Sequence, residues 1–195
     1  MRVIAGRYKG RRLEAPAWPG LRPTADKLRE TLFDVLRDAV VGTTMLDAYA
    51  GTGAVGIEAL SRGASHVTFI DVDRRALDLI KRNLQRCGIA AGYAIIRADL
   101  GDPPARLPGA PFALVFLDPP YQQDSLAAVQ AVGGWLAEGG VLVLEHSRRS
   151  GAPDRAGDLV RTRTIVSGDS ALSFYRREVN GTPGSGSAPG GRQDT

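Results

Sequence analysis

The chain has 195 residues, 43% hydrophobic and 24% charged, with a net charge of +4, which are the proportions of an ordinary globular protein with one well-buried domain. Its single cysteine, Cys87, excludes an internal disulfide, and its two distant histidines, His66 and His146, argue against a zinc site. The opening MRVIAGRYKGRR lacks the apolar stretch of a signal peptide, and no apolar run approaches the roughly 18–20 residues of a membrane span, so a cytoplasmic protein without membrane or metal partners is expected.

Residues 1–37 hold nine Lys and Arg against four acids, net +5; the remainder holds 16 basic and 17 acidic residues, net −1. Five of the positive charges, Arg2, Arg7, Lys9, Arg11 and Arg12, fall in the first twelve residues. Such an arm is either a phosphate contact or a solvated end. If about four of these side chains met single-stranded RNA phosphates, log K would fall with log salt at a slope near −3. Residues 2–16 alternate weakly and read as a short hairpin, so 1–20 is set apart as a basic extension. In GLRPTADKLRETLFDVLRDAV, Thr24 can cap a helix and Asp26 suits its positive end. Leu28, Leu32, Val35, Leu36 and Ala39 form one apolar stripe.

From residue 44 short apolar runs alternate with helical patterns. Strands are expected at 44–49, 66–71, 93–97, 112–118 and 140–146, and helices at 53–62, 73–87 and 124–137. This order predicts a parallel sheet with helices on both faces. After a loop at 148–158, LVRTRTIV and SALSFYRRE flank Ser167-Gly168-Asp169 and read as an antiparallel hairpin, for seven strands in all. A main domain at 21–178 and a disordered Gly/Ser/Pro-rich tail at 179–195 complete the organisation.

LDAYAGTGAVGIEAL places Gly51, Gly53 and Gly56 in a G-x-G-x-x-G pattern between strand and helix, with Asp71 ending the next strand. Glycines permit a tight turn and close ligand approach, and the later acid can bind a ribose hydroxyl. That pattern alone fits a nicotinamide dinucleotide enzyme as well as a methyltransferase. Asp47 separates them: a carboxylate there repels a pyrophosphate but suits the cationic sulfonium and amino acid part of S-adenosylmethionine. Asp99, just past the third strand, can accept from an adenine amino group. A helix cap or turn residue is the plain alternative for each acid.

FALVFLDPPYQQ, residues 112–123, then ends the fourth strand beside the transferable methyl. The fitting target is an exocyclic amine of a nucleobase, whose lone pair is delocalised into the ring. Asp118 and the Pro119 carbonyl can accept its two hydrogens and turn the lone pair outward, while Pro119 and Pro120 fix the backbone. Tyr121 offers a ring for a base taken out of its stack.

These motifs resemble the amino-methyltransferases that act on nucleic acid bases. The resemblance makes Asp118, Pro119, Pro120 and Tyr121 the catalytic tetrapeptide, Asp47, Gly51 and Gly53 the S-adenosylmethionine loop, Asp71 the ribose acid and Asp99 the adenine-side acid. More narrowly, RVIAGRYKGRRL, GLRPTADKLRETLFDVL and AGTGAVGIEALSRGA resemble bacterial 16S rRNA guanine-N2 methyltransferases of the RsmD type, over residues 2–178. That family implies a Rossmann-like class I fold with a mostly parallel seven-stranded sheet, and a 16S rRNA substrate within a small-subunit assembly particle. It makes Arg2, Arg7, Lys9, Arg11, Arg12, Arg22 and Arg29 candidate RNA contacts, with Arg22, Thr24, Asp26 and Arg29 at the site mouth. An ordinary capped helix with an Asp26–Arg29 ion pair is the alternative for that stretch. Guanine fits loosely, since its Watson–Crick edge presents N1–H and N2–H₂ donors to a carboxylate. Cys87, at a helix end away from the strand tips, does not serve the thiolate chemistry of C5 methylation. A DNA adenine-N6 methyltransferase would need a longer inserted DNA reader. A nicotinamide oxidoreductase leaves DPPY unexplained, and a non-catalytic RNA-binding relic leaves the intact acids unexplained.

Overall fold

The computed structural model describes residues 1–16, 18, 26–102, 104–120 and 123–178. Thr24 and the 179–195 tail lie outside these. The helices are α1 (Asp26–Leu36), α2 (Ala54–Ser61), α3 (Arg74–Arg86) and α4 (Ser125–Gly133). The strands are β1 (Thr44–Ala48), β2 (His66–Asp71), β3 (Tyr93–Arg97), β4 (Phe112–Leu117), β5 (Leu136–Ser147), β6 (Arg155–Ala156), β7 (Leu159–Ser167) and β8 (Ser170–Arg177).

One sheet contains all eight strands in the order β3-β2-β1-β4-β5-β8-β7-β6. β1 to β5 pair in parallel, and β8, β7 and β6 continue antiparallel. The eighth strand is β6, inside the 148–158 stretch read as loop. Two residues paired with the start of β7 carry no apolar run to announce them. The chain moves outward from β1 to β3, then returns to the other side of β1 with β4. That reversal opens a crevice at the carboxyl ends of β1 and β4, where ligands bind in open α/β sheets.

Two helical expectations are corrected. The helix expected over 124–137 begins as read, with the Asp124 carboxylate accepting from the Leu126 N–H at 2.9 Å, but ends at Gly133. Leu136 then pairs with Phe112, and the ladder resumes at Leu114–Val141 after a bulge. The detour includes Gly140, where a Cβ would approach the Ala113 carbonyl to 3.1 Å. α1 likewise gives way to a 3-10 turn at Arg37–Val40, with Arg37 at φ 44°.

Strand alternation divides the core between two faces. Met45, Val67, Phe69, Leu114, Phe116 and Val143 pack with α1, α2 and α3. Leu46, Ile70, Val115, Leu117, Leu142 and Leu144 pack on the α4 side. Each such side chain contributes about 1.5–3 kcal/mol by leaving water. The N-terminal segment joins the first face, through buried Val3 and Leu13, and closes on itself by an Arg2–Arg12 bridge. It is fastened by buried polar groups. Both Glu58 carboxylate oxygens accept from the arm, from Ile4 N–H at 2.7 Å and Ala5 N–H at 2.9 Å. The Ser61 carbonyl accepts from Arg7 N–H at 2.7 Å, and Ser61 Oγ from Tyr8 N–H at 3.0 Å. Gly6 makes this contact possible: at φ 79°, an added Cβ would stand 1.9 Å from the Ser61 oxygen.

Candidate active site

Alternation along β1, β2 and β4 sends Asp47, Asp71 and Asp118 to the same face at the carboxyl edge. Asp47 is 2% exposed. Its Oδ2 accepts from Gly56 N–H at 2.8 Å, which ties β1 to the first turn of α2. Burial pushes its carboxyl up to about 7; the Gly56 bond opposes the shift and nearby Asp71 adds to it. Gly51 and Gly53 have φ of 55° and 72°. Gly56 lets α2 approach β2, since a Cβ there would lie 2.3 Å from the Phe69 ring.

Asp71 clamps the glycine loop to β2. Its Oδ2 accepts from Gly51 N–H and its Oδ1 from Asp73 N–H, both at 2.9 Å. A carboxylate oxygen has a second lone pair, so both remain able to accept a ribose hydroxyl. Asp99 lies past β3 on an exposed turn, with Oδ1 accepting from Gly101 N–H at 2.8 Å. The glycine loop, its flanking acids and the helix end that follows fit S-adenosylmethionine. A pyrophosphate would meet the buried Asp47 carboxyl.

Asp118 continues β4, its N–H donating to the Ala48 carbonyl at 3.4 Å. Burial holds its carboxyl well above the usual carboxylate range, and Glu145 and Asp47 add like charge. Glu145 was missed in the sequence. Leu117 pairs with Leu144, so the next residues of β4 and β5, Asp118 and Glu145, stand at the same level. Pro119 is buried, and the Pro120 carbonyl accepts from Gln123 N–H at 2.8 Å, closing the turn. Tyr121 lies outside the described residues.

Tyr49 was also missed. It has φ 59°, a strained conformation for a bulky side chain, and its hydroxyl accepts from Gln123 Nε2 at 2.7 Å. This bond joins the glycine loop to the turn after Asp118. Burial raises the Tyr49 hydroxyl pKa, the Gln123 bond opposes this, and the charge of Asp99 adds to it. No sequence pattern signals a left-handed tyrosine.

The candidate RNA residues divide. Arg2, Arg7, Lys9, Arg11 and Arg12 are exposed on the docked arm. Arg7 and Arg11 flank the Tyr8 ring, with guanidinium carbons 5.5 and 5.6 Å from its centroid. Arg29 is a correction: its side chain is fully buried and cannot line an open mouth. It donates to the Arg2 carbonyl at 2.6 Å and Asp26 Oδ1 at 3.1 Å, and stands 4.0 Å from Glu58. The arm covers α1 there, which an i, i+3 pair alone does not reveal. Arg22 lies outside the described residues. Asn83 is a third missed residue. Fully buried on α3, it accepts from Glu14 N–H at 2.7 Å and donates to the Glu14 and Thr52 carbonyls at 3.2 and 3.0 Å. It thereby links the arm to the glycine loop.

Cys87 is buried at the end of α3, where burial pushes its thiol pKa up. Among the described residues no group of three or more His, Cys, Asp or Glu side chains could hold a metal ion, and no helix is long and apolar enough to cross a membrane.

The family described as Conserved hypothetical protein 95 matches residues 1–176. The putative rRNA methyltransferase YlbH of Bacillus subtilis is 38% identical over 184 residues, covering 91% of this chain and 99% of that protein. Ribosomal RNA small subunit methyltransferase D of Escherichia coli K12 is 36% identical over 184 residues, covering 93% and 92%. The solved structure of the putative methyltransferase yhhF from Escherichia coli matches with a TM-score of 0.77 at 34% identity, covering 91% of this chain and 98% of that one.

Proposed function

The chain belongs to the Conserved hypothetical protein 95 family, and from that premise we propose that it transfers a methyl group from S-adenosylmethionine to the exocyclic N2 amine of a guanine in 16S rRNA. Its place would be the bacterial cytoplasm, on a partly assembled small subunit. A chain of this size has little surface for reading sequence, so an assembling particle would supply much of the specificity.

Asp47, the Gly51–Gly53 loop, Asp71 and Asp99 would hold the cofactor, which supplies an electrophilic methyl carbon on a sulfonium. Asp71 would accept from the ribose hydroxyls and Asp99 from the adenine amine. Asp47, buried and close to neutral in pKa, becomes a carboxylate more readily when a cation lies beside it. Asp118 and the Pro119 carbonyl accept the two guanine N2 hydrogens and aim the nitrogen lone pair at the methyl. Tyr121 would stack on the flipped base. As the N–C bond forms, the sulfur–carbon bond breaks to leave the neutral thioether S-adenosylhomocysteine, and Asp118 would receive the one N2 proton released. A carboxyl held above its usual range is a competent base near neutral pH.

The observation that carries this reading is Asp118 itself, at the carboxyl end of β4 in the crevice beside buried Asp47. Two measurements test it. Asp118→Ala should abolish methyl transfer and leave S-adenosylmethionine binding nearly intact; wild-type turnover by the variant would overturn the role. Mass mapping of small-subunit RNA from cells with and without the gene should show one N2-methylguanine lost. An unchanged methylation map would overturn the substrate.

A further inference from the structure

α3 exposes Arg74, Arg75, Lys81, Arg82 and Arg86, while Ala76, Leu79, Ile80, Asn83 and Leu84 face the core. At 100° per residue, the five basic positions fall within an arc of roughly 140° on one side of the helix. The other exposed positions of this helix are Asp78 and Gln85, so this side presents no exposed apolar side chain.

The N-terminal arm runs antiparallel along this helix. Arg11 Nη1 donates to the Cys87 carbonyl at 2.6 Å, at the helix end. Glu14 pairs with Arg82 at 3.1 Å and Arg86 at 3.5 Å, in the second half. The Trp18 ring lies 5.1 Å from the Arg75 guanidinium, at the helix start. Arg11 thus meets the end of the helix that carries five exposed basic side chains, and the arm bears four more, Arg2, Arg7, Lys9 and Arg12. Against them stand Glu14, Asp73 and Asp78, which leaves this surface at +7 in a chain of net +4.

We propose that the arm and the exposed side of α3 together form a track for an RNA phosphate backbone. The inference rests on the rRNA reading above. The track follows a helix about 20 Å long and ends where α3 begins, three residues past Asp71, so it leads toward the carboxyl edge of the sheet. A protein interface core or a membrane-seeking helix face would need apolar side chains there. The cleft of about 580 Å³ between arm and α1 is the less basic surface, because Asp26 and Glu30 line it alongside Arg2, Lys9 and Lys27.

The test uses the full chain and two probes, 16S rRNA and a mixed-sequence single-stranded oligoribonucleotide, with affinity measured from low to high salt. The double variant Arg74→Glu with Lys81→Glu should bind both probes about tenfold to a hundredfold more weakly at low salt, with a salt slope flatter by about 1.4. Asp78→Lys should bind more tightly, with a slope steeper by about 0.7. Damage to the fold cannot produce that gain. Wild-type slopes in both variants would overturn the track. Methyl incorporation into rRNA by the wild type is scored separately. A wild type that methylates rRNA beside variants of unchanged slope refutes the track alone. A wild type that fails to methylate rRNA refutes the function, whatever the slopes.

Discussion

Asp47→Asn is expected to stabilise the cofactor-free protein and to do so more strongly as pH rises. Burial lifts the Asp47 carboxyl from 3.8 to about 7 in the folded chain. Between those values the native state retains a proton that the unfolded chain has released, so stability falls as pH rises through the interval and stays low above it. At 1.36 kcal/mol per pH unit, the penalty is about 1.5 kcal/mol at pH 5 and about 4 kcal/mol at pH 8. Asparagine keeps an oxygen for the Gly56 N–H and has no charge to desolvate. Urea unfolding of both proteins without ligand should therefore show the margin of the variant widening by about 2.5 kcal/mol between pH 5 and pH 8. The variant should also gain less thermal stability from added S-adenosylmethionine, because the carboxylate no longer faces a cation. A margin that is constant or narrows with rising pH would refute the burial of a costly charge at this position.

The proposed transfer needs Asp118 ionised, so kcat should rise with pH through its elevated pKa. Glu145→Gln removes a like charge and should move that limb to lower pH, whereas an unmoved limb in the pH–rate profile would detach Glu145 from the site. Gly6→Ala should cost about 1–3 kcal/mol in urea unfolding and weaken RNA binding, since the new methyl collides with Ser61. Gly10→Ala is its control: a similar backbone angle, open space around the Cβ, and a cost of about 1 kcal/mol. Equal costs would deny the tight docking of the arm. Asn83→Leu leaves the Glu14 amide and the Thr52 carbonyl without their partner, at about 1–3 kcal/mol. Ligand-induced melting should also show weaker S-adenosylmethionine binding, and unaltered binding would show that Asn83 does not hold the loop.

Most of the architecture was legible because it depends on local patterns. Apolar runs of four to six residues between glycines and polar turns marked each long strand, and α3 showed its buried side through Ala76, Leu79, Ile80 and Leu84. Where the pattern was weak, the reading slipped: β6 is two residues of edge pairing, and α4 ends at a glycine pair that continued helical in hydropathy. Asp47, Asp71 and Asp118 could be placed at strand ends because an apolar run terminates on each. Tyr49, Asn83 and Glu145 could not, since their importance comes from partners 74, 69 and 27 residues away or on a neighbouring strand.

The sequence by itself determined which segments become strands and helices and which acids close them, because periodicity and chain-ending residues act over a few positions. Only the tertiary structure decided how those groups meet. It buried Arg29 under the arm and gathered Asp47, Asp118 and Glu145 on one face. It also set the basic side of α3 against the basic N-terminus. The physical reason is that burial and charge proximity depend on distance in space, and the sheet brings together residues that the chain keeps far apart.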